Sequence, residues 1–375
     1  MRIQIFGARA IPASWGGFDK TATELAVRLA AAGHDVLVYV MPKYALPSRP
    51  ATYRGVRLRY VPTVYGKYLE TPVHEVVSAF LGLWPRADIN YVLGCRTSLA
   101  YLPYRLLGKR LVFNTDGLDF KRSKWGPVAR RYLRWSYRLA SRIASELVHD
   151  NTHIKRYFET HFGRGGAFIT IGGTPYVSRS PDVLGQYGLS AGRYYLVACR
   201  IEPENNIHNL VAGFVASRSQ RTLVIAGGAN YRSPYLRTLQ RVENPRVRFL
   251  GPVYEEGRIE ELHCHCFAYL HGHEVGGTNP ALLTAMACGN LVLANRTDYN
   301  LEVLAEENGV FFENTPEDIA RSIEYVEQHH DRLTGMRERA LERVRQYYSW
   351  DRSAELHAMC FEHVLGRRSG YEETF

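Results

Sequence analysis

The sequence predicts an α/β protein built from two Rossmann-like halves. Three observations predict it. Short apolar runs alternate with amphipathic stretches from end to end, the alternation restarts near residue 194, and the break between the two series is rich in Gly, Pro and Ser (GGTPYVSRSPD). At 375 residues and 46% hydrophobic content, the chain is long enough for two cores of ordinary size.

In order, Ile3 to Phe6 reads as a first strand, followed by a glycine-bearing loop and an Ala-rich helix from Phe18 to Ala32 that stops at Gly33. Val36–Val40, Tyr91–Leu93, Leu111–Asn114, Glu146–His149 and Phe168–Ile171 continue the first series. The second runs through Tyr194–Cys199, Thr222–Ala226, Val247–Leu250, Cys266–Leu270 and Leu291–Ala294, with helices between, and the chain from Pro316 onward reads as wholly helical. The expected domains are residues 1–178 and 179–375, with a terminal helix able to cross back to the first. Two such halves leave a cleft outside the carboxyl ends of both sheets, where open α/β folds bind ligands.

Charge is divided unevenly. Residues 1–180 hold 27 Lys/Arg against 11 Asp/Glu, and the rest hold 20 against 26. The basic half favours an anionic partner such as phosphate-rich lipid, a membrane surface or nucleic acid. Every lysine lies at or before Lys155, so the second half is basic through arginine alone. MRIQIF reads as a strand rather than a leader, and no apolar run approaches the roughly 18 residues of a membrane span. Six scattered cysteines show no paired framework, which fits a reducing cytoplasm.

Four loops follow strand ends. In Gly7–Phe18 the pair Gly16-Gly17 opens a helix, where free amides and the helix dipole suit an anion; the spacing is not G-x-G-x-x-G, which removes the support for a dinucleotide. Phe113–Trp125 packs Asp116, Asp119, Lys121, Arg122 and Lys124 among aromatics, a mixture suited to sugar faces and phosphate. Cys199–Asn206 aims Arg200 out of a strand end, with Glu204 and Asn205 behind it, and an arginine there is a good diphosphate ligand. In His271–Pro280 a strand, Gly276-Gly277, Thr278 or Asn279 as N-cap, and an apolar helix make a further anion site, with His271, His273 and Glu274 placed to touch a transferred group. Gly228, after another strand of this half, is counted with the same site. His263, Cys264, His265 and Cys266, with His271 and His273, resemble a metal cluster by type. Read as neighbours on a strand they point to opposite faces, and C-x₂-C spacing is lacking, so no metal is expected.

Lys124 to Ser145 reads as a helix with Arg130, Arg134, Arg138 and Arg142 in i, i+4 register beside Trp135 and Tyr137. Such a stripe suits anionic headgroups as well as plain solvent.

Together GARAIPASWGGFD, NTDGLDFKRSKW, the HDN at 149–151, CRIEPENNI and HGHEVGGTNPALLTAMA resemble the rhamnosyltransferase-type branch of the family-4 retaining glycosyltransferases, which have the GT-B fold. The resemblance spans nearly the whole chain. It implies that Gly16 and Gly17 contact the donor diphosphate, that Asp116 sits near the transferred sugar or acceptor hydroxyl, and that Arg200 holds the diphosphate. Where relatives carry a lysine five residues after that arginine, this chain has Asn205. The wider family's two glutamates fall on Gly276 and Thr284; glutamate is expected at Thr284 as the ribose ligand, and threonine offers a weaker, uncharged acceptor. Asp19, Asp119 and Phe120 replace the branch's usual Glu, Glu and Trp.

The resemblance implies transfer of rhamnose or another hexose from a UDP- or dTDP-sugar to a glycan or polyprenyl-diphosphate-linked acceptor, at the cytoplasmic face of a membrane and in surface polysaccharide synthesis. No cofactor is implied, and no D-x-D triplet is present to hold a cation. A nucleic-acid-binding module lacks any binding motif in this sequence. A nucleotide-sugar epimerase of the same fold would need paired carboxylates with histidine, and an inactive homologue is motivated by Thr284 alone.

Overall fold

The computed structural model describes all residues except 14–15, 67, 116, 123–124, 230–231, 254, 256 and 371–375. The chain divides into two compact units, Met1–Gly172 with Trp350–Phe375, and Gly173–Ser349.

The first unit holds an eight-stranded sheet in the order β3-β4-β2-β1-β5-β6-β7-β8. Its strands are β1 (Arg2–Phe6), β2 (Asp35–Val40), β3 (Thr52–Tyr53), β4 (Val56–Tyr60), β5 (Ile89–Leu93), β6 (Leu111–Asn114), β7 (Glu146–His149) and β8 (Ala167–Phe168). All neighbours are parallel except β3 and β4. β5 and β6 are buried along their whole length, which is why both read as apolar apart from Asn90 and Asn114. β3 and β4 form an edge hairpin that the sequence reading passed over, although Val56, Leu58 and Tyr60 alternate as a half-buried strand should. Of the expected strand Phe168–Ile171, only Phe168 pairs, with Ala167 before it.

Helices α1 (Gly17–Ala31), α2 (Glu70–Leu81), α3 (Leu102–Leu106), α4 (Pro127–Ile143) and α5 (Thr152–Phe162) cover this sheet. α4 starts three residues later than the sequence suggests because Pro127 is at its first turn, and it buries Leu133, Tyr137 and Ala140 on one face. Its last carbonyls are capped by Arg164, whose guanidinium donates to Ser141, Ala144 and Ser145 oxygens at 2.8–2.9 Å.

The second unit holds a parallel six-stranded sheet in the order β11-β10-β9-β12-β13-β14. Its strands are β9 (Tyr194–Ala198), β10 (Thr222–Ala226), β11 (Val247–Gly251), β12 (Ala268–His271), β13 (Val292–Asn295) and β14 (Val310–Phe312). The helices are α6 (Val183–Gln186), α7 (Ile207–Ala216), α8 (Pro234–Leu239), α9 (Arg258–His265), α10 (Pro280–Ala287), α11 (Asp298–Leu304) and α12 (Pro316–Tyr347). α12 is interrupted at His329, whose φ of −118° and ψ of 16° are not helical. α13 (Trp350–Val364) lies against α1 in the first unit: Arg28 Nε donates to Asp351 at 2.6 Å, and Tyr91 Oη lies 2.9 Å from His357 Nε2.

His263, Cys264 and His265 lie on the last turn of α9, not on a strand, so the alternation argument applied to them does not describe this segment. Cys266 follows the helix and its thiol donates to Asn290 Oδ1 at 2.5 Å. The segment that opens the second unit is strapped to α9 chiefly through the buried Glu261, with Ser178 Oγ also 2.9 Å from His265 Nε2. One carboxylate oxygen accepts from Tyr176 Oη, Arg179 N and Ser180 N at 2.9, 2.6 and 2.8 Å; the other accepts from Ser178 Oγ at 2.7 Å.

Candidate functional site

Strand order locates the switch point of each sheet. In the second unit the chain runs outward from β9 through β10 to β11, then restarts on the other side with β12, β13 and β14. Ligands of open α/β sheets bind where the order reverses, outside the carboxyl ends, and here that point lies between β9 and β12. The loop after β9 carries Arg200 and the loop after β12 carries residues 272–279, so two of the four loops singled out in the sequence meet there.

Their meeting is built from short polar contacts. Asn206 Nδ2 donates to Gly272 O at 3.0 Å and lies 3.4 Å from Glu274 Oε2, while Glu274 N donates to Glu204 O at 3.1 Å. Asn205 Nδ2 donates to Arg200 O at 2.6 Å, which fixes the arginine's backbone and leaves its side chain exposed. A Cβ at Gly272 would lie 2.5 Å from Asn205 O, so this close approach requires glycine. Gly228 stands behind the Arg200 loop: it is buried, and its carbonyl accepts from Ile201 N at 2.9 Å.

α10 points its first turn into the same loop. Asn279 is its N-cap, with Oδ1 accepting from Ala281 N at 2.9 Å, and Pro280 follows at the first helical position. Gly276 has open space around it, and Thr278 is buried. Thr284 lies partly exposed one turn along, its hydroxyl donating to Pro280 O at 2.9 Å. That hydrogen bond uses the hydroxyl proton, so towards any further group Thr284 Oγ1 acts as an acceptor.

Several residues expected to touch a ligand are enclosed. The His271 side chain is wholly buried, and burial pulls its pKa down to about 3, leaving a neutral imidazole whose ring stacks at 4.3 Å on His273. Glu204 and Asn205 are likewise buried and shape the loop from behind. Glu274 is exposed and His273 half-buried, the latter's carbonyl fixed by Asn300 Nδ2 at 3.0 Å. Asn300 and Asn295, which both reach His273 O, carried no signal in the sequence because they sit on elements remote in the chain.

In the first unit the order reverses between β1 and β5. Gly16 is the N-cap of α1 and Gly17 its first residue. The loop leading to them passes the end of β5 at Gly7, where φ is +95° and a Cβ would lie 2.6 Å from Leu93 O. Arg9 N donates to the buried Asp19 at 2.7 Å, tying that loop to the first turn of α1. Opposite, Arg96 leaves the end of β5 with its guanidinium 5.3 Å over the Phe18 ring. Asp119, buried after β6, receives Arg122 Nε at 2.9 Å and Arg96 Nε at 3.5 Å, and Thr97 Oγ1 donates to the wholly buried Glu75. Burial pushes the Glu75 carboxyl's pKa up, with Arg96 acting against that rise. Arg96 follows the same rule that singled out Arg200, an arginine leaving a strand end, and applying it to Gly94-Cys95-Arg96-Thr97 would have found it.

Asp116 and Lys124 lie outside the described residues. Lys121 is exposed, its ammonium 4.8 Å over the Tyr157 ring. Arg122 is half-buried and held by Asp119, apart from the α4 stripe, whereas Arg130, Arg134, Arg138 and Arg142 are all exposed. Of the HDN segment, His149 is buried with Nδ1 2.6 Å from Thr115 Oγ1 and a pKa lowered by burial to about 3, and Asn151 caps α5 through His153 N.

Two Rossmann-like units, with polar loops gathered at each switch point, are the architecture of the GT-B glycosyltransferases. Residues 188–343 match the glycosyl transferases group 1 family and residues 16–171 the glycosyl transferase 4-like domain. The chain thus carries a glycosyl transferases group 1 domain and a glycosyl transferase 4-like domain, and it is a transferase. No curated protein sequence gives a significant match. Among solved structures, sucrose-phosphate synthase from Thermosynechococcus elongatus aligns with a TM-score of 0.82 at 17% identity, covering 98% of this chain and 100% of that one. HepE from Anabaena, in complex with UDP, aligns with a TM-score of 0.75 at 18% identity over 96% and 98%. WaaG, a glycosyltransferase involved in lipopolysaccharide biosynthesis, aligns with 0.70 at 15% identity over 98% and 100%. At such identities the likeness establishes the fold. Among the described residues, no helix is long and apolar enough to cross a membrane.

Proposed function

We propose that this transferase takes a hexose, rhamnose or another, from a UDP- or dTDP-sugar and passes it with retention of configuration to a glycan or polyprenyl-diphosphate-linked acceptor. The observation that carries the reading is the convergence of the Arg200 loop with the N-terminus of α10 at the β9–β12 switch point. An exposed arginine and the backbone amides at residues 276–278 suit a diphosphate and stabilise the charge that develops on it. Solved relatives bound to UDP and to UDP-glucose support the nucleotide.

The bond from the anomeric carbon to the diphosphate breaks through an oxocarbenium-like state. Arg200 and the amides at residues 276–278 take up the departing charge, and the acceptor hydroxyl attacks the same face while its proton passes to the leaving phosphate oxygen. Thr284 accepts a hydrogen bond from a ribose hydroxyl. Glu274 and His273, at the rim of the loop, orient the sugar, and Gly16 and Gly17, at the start of α1, are further ligands of the diphosphate. No metal or cofactor takes part. The acceptor belongs to surface polysaccharide synthesis at the inner face of the plasma membrane, with the arginines of α4 facing the lipid.

The test is a panel of nucleotide sugars incubated with the protein and a membrane lipid extract, with products read by mass spectrometry. A mass increase of one hexose or deoxyhexose on a lipid-linked species, with release of the nucleoside diphosphate, is the expected result. No turnover of any donor would end the reading.

A further inference from the structure

α2 hides acids and shows apolar side chains. It buries Glu70, His74, Glu75, Ser78 and Ala79, half-buries Val73, Val77 and Leu81, and turns Val76 and Phe80 outward, with Trp84 just past its end. Phe80 and Trp84 are 59% and 65% exposed, with ring centroids 4.6 Å apart, so each covers part of the other and neither is covered by the fold. A helix of a water-facing surface is normally patterned the other way.

The exposure is not isolated. Of the 17 large hydrophobic side chains exposed among the described residues, 14 lie between Leu46 and Trp135 in the first unit. α3 adds Leu106 and the following Leu107, 78% and 65% exposed. α3 sits beside α2, where Tyr104 Oη donates to Ala79 O at 2.6 Å. The segment before α3 sits beside α4, where Ser98 N donates to Ser136 Oγ at 3.1 Å. The outward side chains of α2, α3 and α4 therefore belong to neighbouring elements, and Tyr132 and Trp135 continue the surface on α4.

Charge selects what covers it. Between residues 70 and 143, nine lysines and arginines are exposed, and among the described residues of that stretch no carboxylate is. A second copy of the chain meeting this surface through a two-fold axis would set those cations against themselves. An apolar surface on elements whose own exposed charges are all cationic matches an anionic bilayer, whose interface takes aromatic and aliphatic side chains while its headgroups take arginine.

We propose that Val76, Phe80, Trp84, Leu106 and Leu107 form an insertion edge that, with the α4 arginines, docks the first unit on an anionic lipid surface. The proposal rests on the lipid-linked acceptor reading and adds to it an apolar anchor that a charged stripe alone does not supply.

The experiment compares the full chain with Phe80→Ser/Trp84→Ser and Arg130→Gln/Arg134→Gln variants on vesicles of equal parts phosphatidylcholine and phosphatidylglycerol. Partition is read by flotation, and folding of each variant by circular dichroism. Wild type should float, and part of its binding should survive about 1 M salt, where the screening length is only about 3 Å. The serine variant should lose the salt-resistant part and bind roughly tenfold or more weakly at low salt. The glutamine variant should lose mainly the salt-sensitive part. Wild-type protein that fails to float, or a folded serine variant that floats as wild type does, overturns the proposal. So does sedimentation showing that the serine pair dissolves a wild-type dimer while vesicle binding is unchanged. Hydrolysis of donor without lipid is measured in parallel: donor turnover without vesicle binding sinks the docking surface alone, and vesicle binding without donor turnover sinks the transferase reading alone.

Discussion

Replacing Glu261 with glutamine tests how the segment entering the second unit is held. Burial by itself would raise this carboxyl's pKa, but hydrogen bonds from Arg179 N, Ser178 Oγ, Ser180 N and Tyr176 Oη hold it down, from 4.5 to about 2. A depressed acid pKa adds stability that is present above the unfolded value and is lost as pH falls through the folded value. The window is therefore from about 4.5 down to about 2. At 1.36 kcal/mol per unit, the shift amounts to about 3 kcal/mol at neutral pH. Glutamine is neutral throughout: its oxygen still accepts, but the two backbone N–H groups lose a charged partner. Urea unfolding of both proteins from pH 7 to pH 2.5, followed by tryptophan fluorescence, should show a deficit of about 3 kcal/mol in the variant at neutral pH. That deficit should shrink steadily below about pH 4.5. A deficit below about 1 kcal/mol at pH 7, or one that stays constant across the acid range, would refute the assignment of the shift to these bonds.

Arg200→Ala should lower transfer by about 10²–10³-fold while the circular dichroism spectrum is unchanged, because Asn205 binds the arginine's backbone and not its side chain; a folded variant with normal turnover removes Arg200 from the site. Thr284→Glu should tighten donor binding in calorimetry by roughly 1.5–3 kcal/mol, since a carboxylate is the stronger acceptor for a ribose hydroxyl. Equal or weaker binding by that variant means the position has adapted to another contact. Transfer should continue in excess EDTA, with the departing charge taken by arginine and backbone amides; activity lost in chelator and restored by one divalent ion would show otherwise.

The amino-acid pattern determined the class of fold because its signals are local. Largely apolar runs such as those of β5 and β6 mark strands buried on both faces. The Asn279-Pro280 step marks a helix start, and arginine after a strand end marks a polar loop. The same locality explains what was missed. β3 and β4 are a short edge hairpin whose alternation covers too few residues to stand out. His263 to His265 read as a strand because periodicity cannot separate a short helix from one.

Only the tertiary structure decided which polar residues face outward. His271 and Glu204 stand in the right loops, yet burial encloses both, while Asn300 reaches the same loop from an element nearly thirty residues further along. The arginines of the first unit divide the same way: Arg122 is half-buried against Asp119, and those of α4 are exposed. α2 is the plainest case. Its composition names no face, and only packing against the loop after β5 turns Glu75 inward to Thr97 and Phe80 outward. A buried carboxylate needs a donor that the fold alone can bring to it, so the helix takes its orientation from distant residues and not from its own pattern.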